Sequence, residues 1–319
     1  MLTIIDAYRA KKRLSSFVRE TPMYYSHVLS RRYETKVFLK LENYQVTGSF
    51  KVRGVFNKLL KHKDEARDKK ILTVSTGNHA IAVAYASTIL NVDSLIVVPR
   101  NITDLKRRRI EAIGGKIIFR GNNYDKAEKY ARELATREGY LFLSPYNDID
   151  IIEATTTIGL EILLHNPEID TIMVPVGGGG LISGIAFLAK SINRDIRVYG
   201  VQSEASPAVY ESLRKGKIVE VPLKPSIAEG LHGNLEKGSI TFDFIRKYVD
   251  DVLLVSEEEI KIAIKELYET EGIIAEGAAA VTLAALKRYQ ELFRGRKVCL
   301  VISGGNIDPE HFLEAIRHE

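Results

Sequence analysis

The strongest limit on the fold comes from short apolar segments that alternate with stretches of helical periodicity. Four such apolar segments are residues 71–75, 94–99, 116–119 and 140–143. Helical patterns lie between them at 79–90, 103–113 and 123–138. Strands that are apolar on both faces are typical of a parallel sheet that helices cover on both sides. This half of the pattern therefore predicts an α/β unit of four strands.

A second alternating series surrounds the first. Its apolar runs are residues 36–42, 171–176, 197–201, 251–255 and 297–302. Its helical stretches are 150–165, 181–192, 256–270, 276–290 and 309–317, and 203–240 reads as mostly loop with one short helix. We predict an α/β protein of two lobes, with parallel-type sheets covered by helices in both. A large domain comprises residues 1–47 and 147–319, and a small domain, 48–146, is inserted into it.

Composition excludes several classes of function. The 319 residues carry a formal net charge of only +5, and the basic run 106–109 fits a solvated helix face better than a nucleic-acid surface. No apolar run reaches the roughly 18 residues of a membrane span. The N-terminus predicts an amphipathic helix capped at Thr3, with Asp6 three residues on, and not a signal peptide. The single Cys299 gives no disulfide framework or cysteine metal cluster. We expect a cytoplasmic protein without membrane or nucleic-acid partners.

A run of four glycines, Gly177 to Gly180, directly follows an apolar strand and precedes a helix. Glycines let the backbone approach an anion closely, and the free N–H groups of a helix N-terminus favour negative charge. The spacing matches neither the dinucleotide G-x-G-x-x-G pattern nor a G-K-[ST] phosphate loop. A bound phosphate is the favoured interpretation, and a plain hinge between strand and helix is the alternative.

Lys51 lies in the segment TGSFKVRG, residues 47–54, which is unusual for a surface lysine. A lysine amine becomes a nucleophile when burial or a nearby cation lowers its pKa, and Phe50 and Arg53 are candidates for that effect. An amine beside a phosphate cradle, without a ribose-binding signature, indicates pyridoxal phosphate held by the lysine as a Schiff base.

Two further segments follow predicted strands. STGNHA, residues 75–80, offers backbone N–H groups with Ser75, Thr76 and Asn78 for a carboxylate, and simple helix capping is the alternative. Ser303 lies in the segment VISGGNID, residues 301–308, where its hydroxyl can bond a ring nitrogen or serve an ordinary turn.

Five separated motifs together give this chain a specific family resemblance. They are TGSFKVRG, STGNHA, VGGGGLISG, IAEG (227–230) and SGGNID. In this order they resemble the fold-type-II pyridoxal-phosphate enzymes, the tryptophan synthase β-like fold with the cofactor between two α/β lobes. Within that group the chain is most similar to the short threonine/serine dehydratases and the serine racemases.

The resemblance implies a role for each motif residue. Lys51 would hold the cofactor and act as the catalytic base, with Thr76 as a possible second catalytic group. The other residues that would contact the cofactor are Phe50, Asn78, Gly177, Gly178, Gly179, Gly180, Leu181, Gly230 and Ser303. The substrate carboxylate would be bound by Ser75, Thr76, Asn78 and His79. The implied reaction is α,β-elimination from L-threonine, L-serine or a related 3-hydroxy amino acid, which gives a 2-oxo acid and ammonia.

The sequence also departs from these relatives. Their dehydratases tend to have Ala and their serine racemases Ser where this chain has Thr76, so racemisation and a dual activity stay open. EATTT, residues 153–157, replaces the usual AGQGT and bears on substrate pocket or subunit contacts. Gln202 and Ala208 replace an acidic pair of the racemase cation site, so we expect no metal.

Two other functions stay open as alternatives. They are another β-replacement enzyme of the same fold and a non-catalytic amino-acid or nucleotide-binding protein. From the resemblance we expect a homodimer or higher homo-oligomer, and no regulatory tail after residue 319.

Overall fold

The computed structural model describes residues 2–122 and 124–317. The helices are α1 (Ile4–Leu14), α2 (His27–Arg32), α3 (Lys51–Lys61), α4 (Lys63–Asp68), α5 (Asn78–Leu90), α6 (Asp104–Ala112), α7 (Tyr124–Glu138), α8 (Ile149–His165), α9 (Gly180–Ile192), α10 (Ala208–Arg214), α11 (Ile240–Tyr248), α12 (Glu257–Glu271), α13 (Gly277–Arg288), α14 (Gln290–Phe293) and α15 (Pro309–Arg317). The strands are β1 (Met23–Ser26), β2 (Lys36–Leu41), β3 (Ile71–Val74), β4 (Ser94–Val98), β5 (Lys116–Phe119), β6 (Leu141–Phe142), β7 (Thr171–Pro175), β8 (Arg197–Ser203), β9 (Asp251–Val255) and β10 (Lys297–Ile302).

The strands form two separate sheets. The larger has the order β1-β2-β10-β7-β8-β9, in which only the β1–β2 pair is antiparallel. The smaller has the order β5-β4-β3-β6 and is parallel throughout. The predicted α/β class with two parallel-type sheets is therefore confirmed.

The two sheets draw on different parts of the chain. All four strands of the smaller sheet lie between residues 71 and 142, whereas the larger sheet takes strands from both sides of that segment. β2 and β10 are neighbours although more than half of the chain lies between them. This arrangement is what an inserted small lobe requires, and the lobe boundaries themselves stay a prediction.

The sequence pattern missed several elements, among them the short helices α4 and α14. β1 and α2 fall in a segment for which we predicted no structure, and α11 follows the segment read as mostly loop. β1 pairs with the edge of the sheet through residues such as Tyr24 and Tyr25, and its mixed burial pattern gives no long apolar run. The capping box predicted at Thr3 and Asp6 is present.

Helix α8 is buried along nearly its whole length, against α9 on one side and α3 on the other. Its contact with α3 combines close packing of Ile151 on Gly54 with buried charges. The Arg53 guanidinium, 1% exposed, donates to both carboxylate oxygens of Glu42 and to both of Glu161 at 2.6–2.9 Å. Lys40 also donates to Glu161, at 2.5 Å. These buried pairs fix the helix that begins at Lys51.

Within residues 2–122 and 124–317, no helix combines the length and the apolar character that crossing a bilayer requires.

Candidate active site

Lys51 is the first residue of α3, and its amine lies where the two lobes meet. Its Nζ donates a hydrogen bond to the Pro145 carbonyl oxygen at 2.8 Å and lies 5.1 Å from the centre of the Phe50 ring. Pro145 belongs to the segment that leads from β6 back to α8. Phe50 in turn donates its main-chain N–H to the Ser303 carbonyl at 3.1 Å. Lys51 and its neighbour Phe50 thus contact segments that follow a strand of each sheet.

Burial lowers the pKa of Lys51 from 10.5 to about 8, and the Glu276 carboxylate partly opposes this shift. We expected Arg53 to contribute, but its guanidinium is turned away into the pairs with Glu42 and Glu161. Desolvation of the ammonium is the cause, because removing a charge from water favours the neutral amine. The amine is therefore available as a nucleophile and base close to neutral pH.

The glycine run follows β7 and leads into α9, which begins at Gly180 without a side-chain cap. Gly179 has φ +86°, a conformation that favours glycine. A Cβ on Gly177 would lie 3.0 Å from the Gly230 carbonyl oxygen, and one on Gly178 would collide with the Tyr146 ring. The loop is therefore closely packed and presents main-chain N–H groups at a helix N-terminus, which is the requirement for an anion site.

Tyr146, which the sequence analysis did not select, covers this loop. The Glu236 main-chain N–H donates to the Tyr146 hydroxyl at 3.0 Å, and Thr241 donates its hydroxyl to the Gly178 carbonyl at 2.7 Å. Tyr146 directly follows Pro145, whose carbonyl accepts from Lys51. No motif in the sequence indicates that Tyr146 would cover the glycine loop. One short segment thereby links the amine to the glycine loop.

The segment 75–79 follows β3 and opens α5, whose N-terminus also has no side-chain cap. This excludes the capping alternative: Ser75 accepts a bond from Gly77 N–H at 3.3 Å, and Asn78 points elsewhere. The Asn78 amide donates to the two carboxylate oxygens of Glu276 at 2.7 and 3.0 Å. Its carbonyl oxygen accepts from Asn306 at 2.7 Å, which joins the β3 and β10 loops.

His79 and Leu181 lie at the predicted places, but their side chains face inward. His79 is buried with Nε2 3.3 Å from the Leu143 carbonyl oxygen. Burial, with a smaller effect of Lys51, lowers the pKa of His79 to about 3, so the imidazole is neutral. Leu181 belongs to the apolar core of the large sheet. Both residues can contribute main-chain N–H groups to the site.

The remaining predicted residues lie around the same place. Ser303 is buried directly after β10, and Gly230 is in van der Waals range of the glycine run. Thr76 lies between Ser75 and Gly77 at the head of α5, partly exposed. The structure therefore brings the five motif segments together, with Glu276 and Tyr146 added.

These residues fit pyridoxal phosphate. The uncapped start of α9 and its glycine cradle suit a phosphate, and the amine with a lowered pKa suits a Schiff base. A neutral hydroxyl at Ser303 suits a ring nitrogen. The phosphate does not need a side-chain cation, since a helix N-terminus supplies the positive potential.

Comparison with known proteins agrees with this geometry. The family described as "Pyridoxal-phosphate dependent enzyme" matches residues 14–304. L-threonine ammonia-lyase of Thermotoga maritima is 41% identical over 308 residues, which cover 97% of this chain and 76% of that protein. The catabolic L-threonine dehydratase of Staphylococcus aureus is 38% identical over 322 residues, covering 100% of this chain and 93% of the relative.

Among solved structures, maize serine racemase superposes with a TM-score of 0.91 at 32% identity, covering 98% of this chain and 96% of the racemase. The family match spans nearly the whole chain and includes the segments of Lys51, Asn78, the glycine run and Ser303. The chain therefore belongs to the family of pyridoxal-phosphate-dependent enzymes.

Proposed function

We propose that this enzyme is a threonine/serine dehydratase, a lyase that converts L-threonine, L-serine or a related 3-hydroxy amino acid to a 2-oxo acid and ammonia. The observation that carries the proposal is the Lys51 amine, with its pKa lowered to about 8, at a site that also offers an uncapped α9 N-terminus. Relatives at 38–41% identity named as threonine ammonia-lyase or dehydratase support elimination as the main reaction.

Each part of the site has a proposed task. Lys51 would hold the cofactor through its amine, and its free Nζ is the base that takes the α-proton of the substrate. The main chain of Gly177 to Gly180 and Leu181 would hold the phosphate, and Phe50 and Gly230 would contact the ring. Pyridoxal phosphate supplies the electron sink that makes the α-proton acidic.

The substrate carboxylate is proposed to lie at the head of α5. The main-chain N–H groups of residues 75–79 bind it, with the hydroxyls of Ser75 and Thr76 beside them. The neutral imidazole of His79 adds no charge to this site. Asn78 would bond the ring hydroxyl, and Ser303 would bond the pyridine nitrogen. A neutral Ser303 would leave that nitrogen unprotonated more readily than a carboxylate would, which would favour loss of the β-hydroxyl over reprotonation.

The first test is Lys51→Ala. Purified wild-type protein is expected to show the visible absorbance of the bound cofactor and to form 2-oxobutyrate from L-threonine. The variant is expected to lose the covalent absorbance and at least about 10³-fold of the rate, because it lacks both the attachment point and the base. Retained turnover in Lys51→Ala would contradict the assignment, and a cofactor band without turnover of L-threonine or L-serine would contradict the substrate class.

Racemisation is the second candidate, because maize serine racemase has the same fold and Thr76 carries a hydroxyl at the head of α5. If Thr76 is a second acid/base, Thr76→Ala abolishes D-amino acid formation and spares the 2-oxo acid. We expect the wild type to form little D-isomer, since the extra methyl of threonine restricts χ1 and the aim of the hydroxyl. Thr76→Ser is the matched variant, and chiral chromatography of the product is the measurement.

We also propose that the enzyme is a cytoplasmic homodimer. A cluster of exposed apolar side chains on α1, α8 and α9 supports a self-association surface; it comprises Tyr8, Leu164 and Ile192. Light scattering is expected to give twice the chain mass. A monomer at all concentrations would contradict the dimer. Fractionation of the source cells tests the cytoplasmic location.

A further inference from the structure

The sequence contains the string IAEG twice, at residues 227–230 and 274–277. The structure packs the two copies against each other: a Cβ on Gly277 would collide with the Ile227 carbonyl oxygen, and one on Gly230 would lie 3.1 Å from the Ala278 Cβ. Only the first copy entered the sequence analysis. The second copy contains Glu276, an acidic residue that has no task in the mechanism above.

Glu276 is held in one position by contacts on three sides. Its carboxylate accepts from the Asn78 amide at 2.7 and 3.0 Å. Its main-chain N–H donates to the Gly304 carbonyl at 3.1 Å, and a Cβ on Gly304 would lie 2.6 Å from Glu276 Oε1. The carboxylate therefore lies between the loops that follow β3 and β10, and only 3.8 Å from where a Gly230 side chain would begin.

The charges that face Glu276 come from two other elements. The start of α3 lies beside it, since a Cβ on Gly304 would lie 2.6 Å from Glu276 Oε1 and 3.1 Å from the Cβ of Ser49, two residues before Lys51. Lys51 attracts the carboxylate, and Glu229 of the first IAEG copy repels it. Glu229 is half-exposed and receives a hydrogen bond from Lys106 at 2.7 Å. Burial is the largest influence and raises the pKa of Glu276, against hydrogen bonds from Asn78 and from the Asn306 main chain. Because His79 is neutral, the principal charge that acts on Lys51 is the Glu276 carboxylate.

We propose that Glu276 is a positioning residue for the reaction, whose carboxylate orients the Asn78 amide and serves as the counter-charge of the Lys51 amine. The inference rests on the proposed function, which assigns the roles of Asn78 and Lys51. Two effects follow. Removing the charge while keeping the side-chain length and one acceptor oxygen changes the protonation of Lys51, and shortening the side chain while keeping the charge releases Asn78.

Glu276→Gln tests the counter-charge. Apoprotein is pulsed with formaldehyde and cyanoborohydride across a pH series, and methylation of Lys51 is quantified by peptide mass spectrometry. The midpoint is expected to move about one pH unit lower than in wild type, because loss of a nearby opposite charge favours the neutral amine. An unmoved midpoint would overturn the proposal. The pulse uses no amino-acid substrate, so its result is independent of which reaction the enzyme catalyses.

Glu229→Gln is the matched control, since it makes the same substitution in the other copy of the string. Glu229 is partly solvated and paired with Lys106, so its loss is expected to produce no downward shift. An equal downward shift in both variants would overturn the specific role of Glu276, because it would reflect total charge alone.

Glu276→Asp tests the positioning of Asn78 and does not depend on the Gln variant folding. Its labelling midpoint is expected to stay within a few tenths of a pH unit of wild type, since the charge is kept. Its affinity for pyridoxal phosphate, measured by equilibrium dialysis, is expected to fall about tenfold as the charged hydrogen bonds to Asn78 are lost. Unchanged affinity would overturn the positioning role. A circular dichroism spectrum equal to that of wild type shows that the variant is folded, so that a loss of affinity does not reflect unfolding.

Discussion

At the scale of single residues, the chemistry depends on placing one lysine out of water. A buried ammonium is costly because the protein interior solvates it less well than water does. The chain keeps Lys51 at the first position of α3, where the Pro145 carbonyl oxygen accepts one of its hydrogens. The basic Arg53, two positions on, is neutralised by Glu42 and Glu161. Reactivity and structure are thus carried by two side chains of α3, two positions apart, with different partners.

The lowered pKa of Lys51 predicts a pH-dependent stability of the apoprotein. The unfolded lysine keeps its proton up to about pH 10.5, whereas the folded one releases it near 8, so stability rises with pH between these values. Lys51→Met is expected to be more stable than wild type at neutral pH by about 1–2 kcal/mol, allowing for partial solvation. Above pH 8 this advantage shrinks.

Urea unfolding of both apoproteins at several pH values measures the difference in unfolding free energy. Lys12→Met, on the exposed side of α1, controls for the loss of a surface lysine. A Lys51→Met advantage that stays constant from neutral to alkaline pH would show that the side chain is not desolvated in the folded state.

At the scale of elements, α8 connects the chemistry of the two lobes. Its acidic face meets α3 through Asp150, Glu153 and Glu161, and its opposite face packs on α9. Thr155, in the segment that departs from the relatives, donates toward the Gly180 carbonyl at 2.9 Å, at the first residue of α9. The EATTT segment therefore makes two contacts within this chain: Thr155 bonds the start of α9, and Glu153 pairs with Lys61 of α3.

The buried pairs on α3 predict a large effect of one substitution. Arg53→Met leaves Glu42 and Glu161 buried with one cation fewer, and breaking such a pair typically costs about 3–5 kcal/mol. Arg9→Ala removes the exposed partner of Asp6 and is expected to cost less than about 1 kcal/mol. Thermal and urea unfolding of both variants measure this contrast, and equal costs would contradict a structural role for the buried network.

How far the sequence predicts these elements depends on how strong their periodicity is. The parallel strands are continuous apolar runs, so β3, β4, β5 and β7 lie within a residue or two of their predicted bounds. β1 is four residues with a mixed pattern, and it is ordered only through its pairing with β2. Glu276 escaped prediction because its role comes from contact with Asn78, 198 residues away in the chain. The repeated IAEG string was the one available signal.

At the scale of the whole molecule, charges join the two lobes around the site. Lys106 on α6 donates to Glu229, and Arg132 on α7 pairs with Glu236 at 2.5 Å. We predicted a solvated face for the basic run 106–109, and the residues of this run are partly or fully exposed, with Lys106 the least exposed of those in ion pairs at 20%. These contacts connect the small sheet to loops that border Gly230 and Tyr146.

The cross-lobe pair predicts a reversible defect. Lys106→Glu places two carboxylates in contact and is expected to raise KM for L-threonine up to about fivefold, the size of a partly exposed ion pair. Exchanging the charges in Lys106→Glu/Glu229→Lys is expected to restore most of the loss. Steady-state kinetics at low and high salt measure both variants. A double variant as impaired as the single one would show that the pair does not act through its charges.

The central claim is that Lys51 removes the α-proton and that elimination then outpaces reprotonation. We would incubate the holoenzyme with L-threonine in heavy water and quantify 2-oxobutyrate, D-allothreonine and deuterium at Cα of recovered substrate. The account predicts 2-oxobutyrate as the dominant product, with little D-isomer and little exchange. Rapid exchange at Cα with scarce 2-oxobutyrate would contradict it, because reprotonation would then outpace elimination, and accumulation of D-allothreonine would identify the enzyme as a racemase.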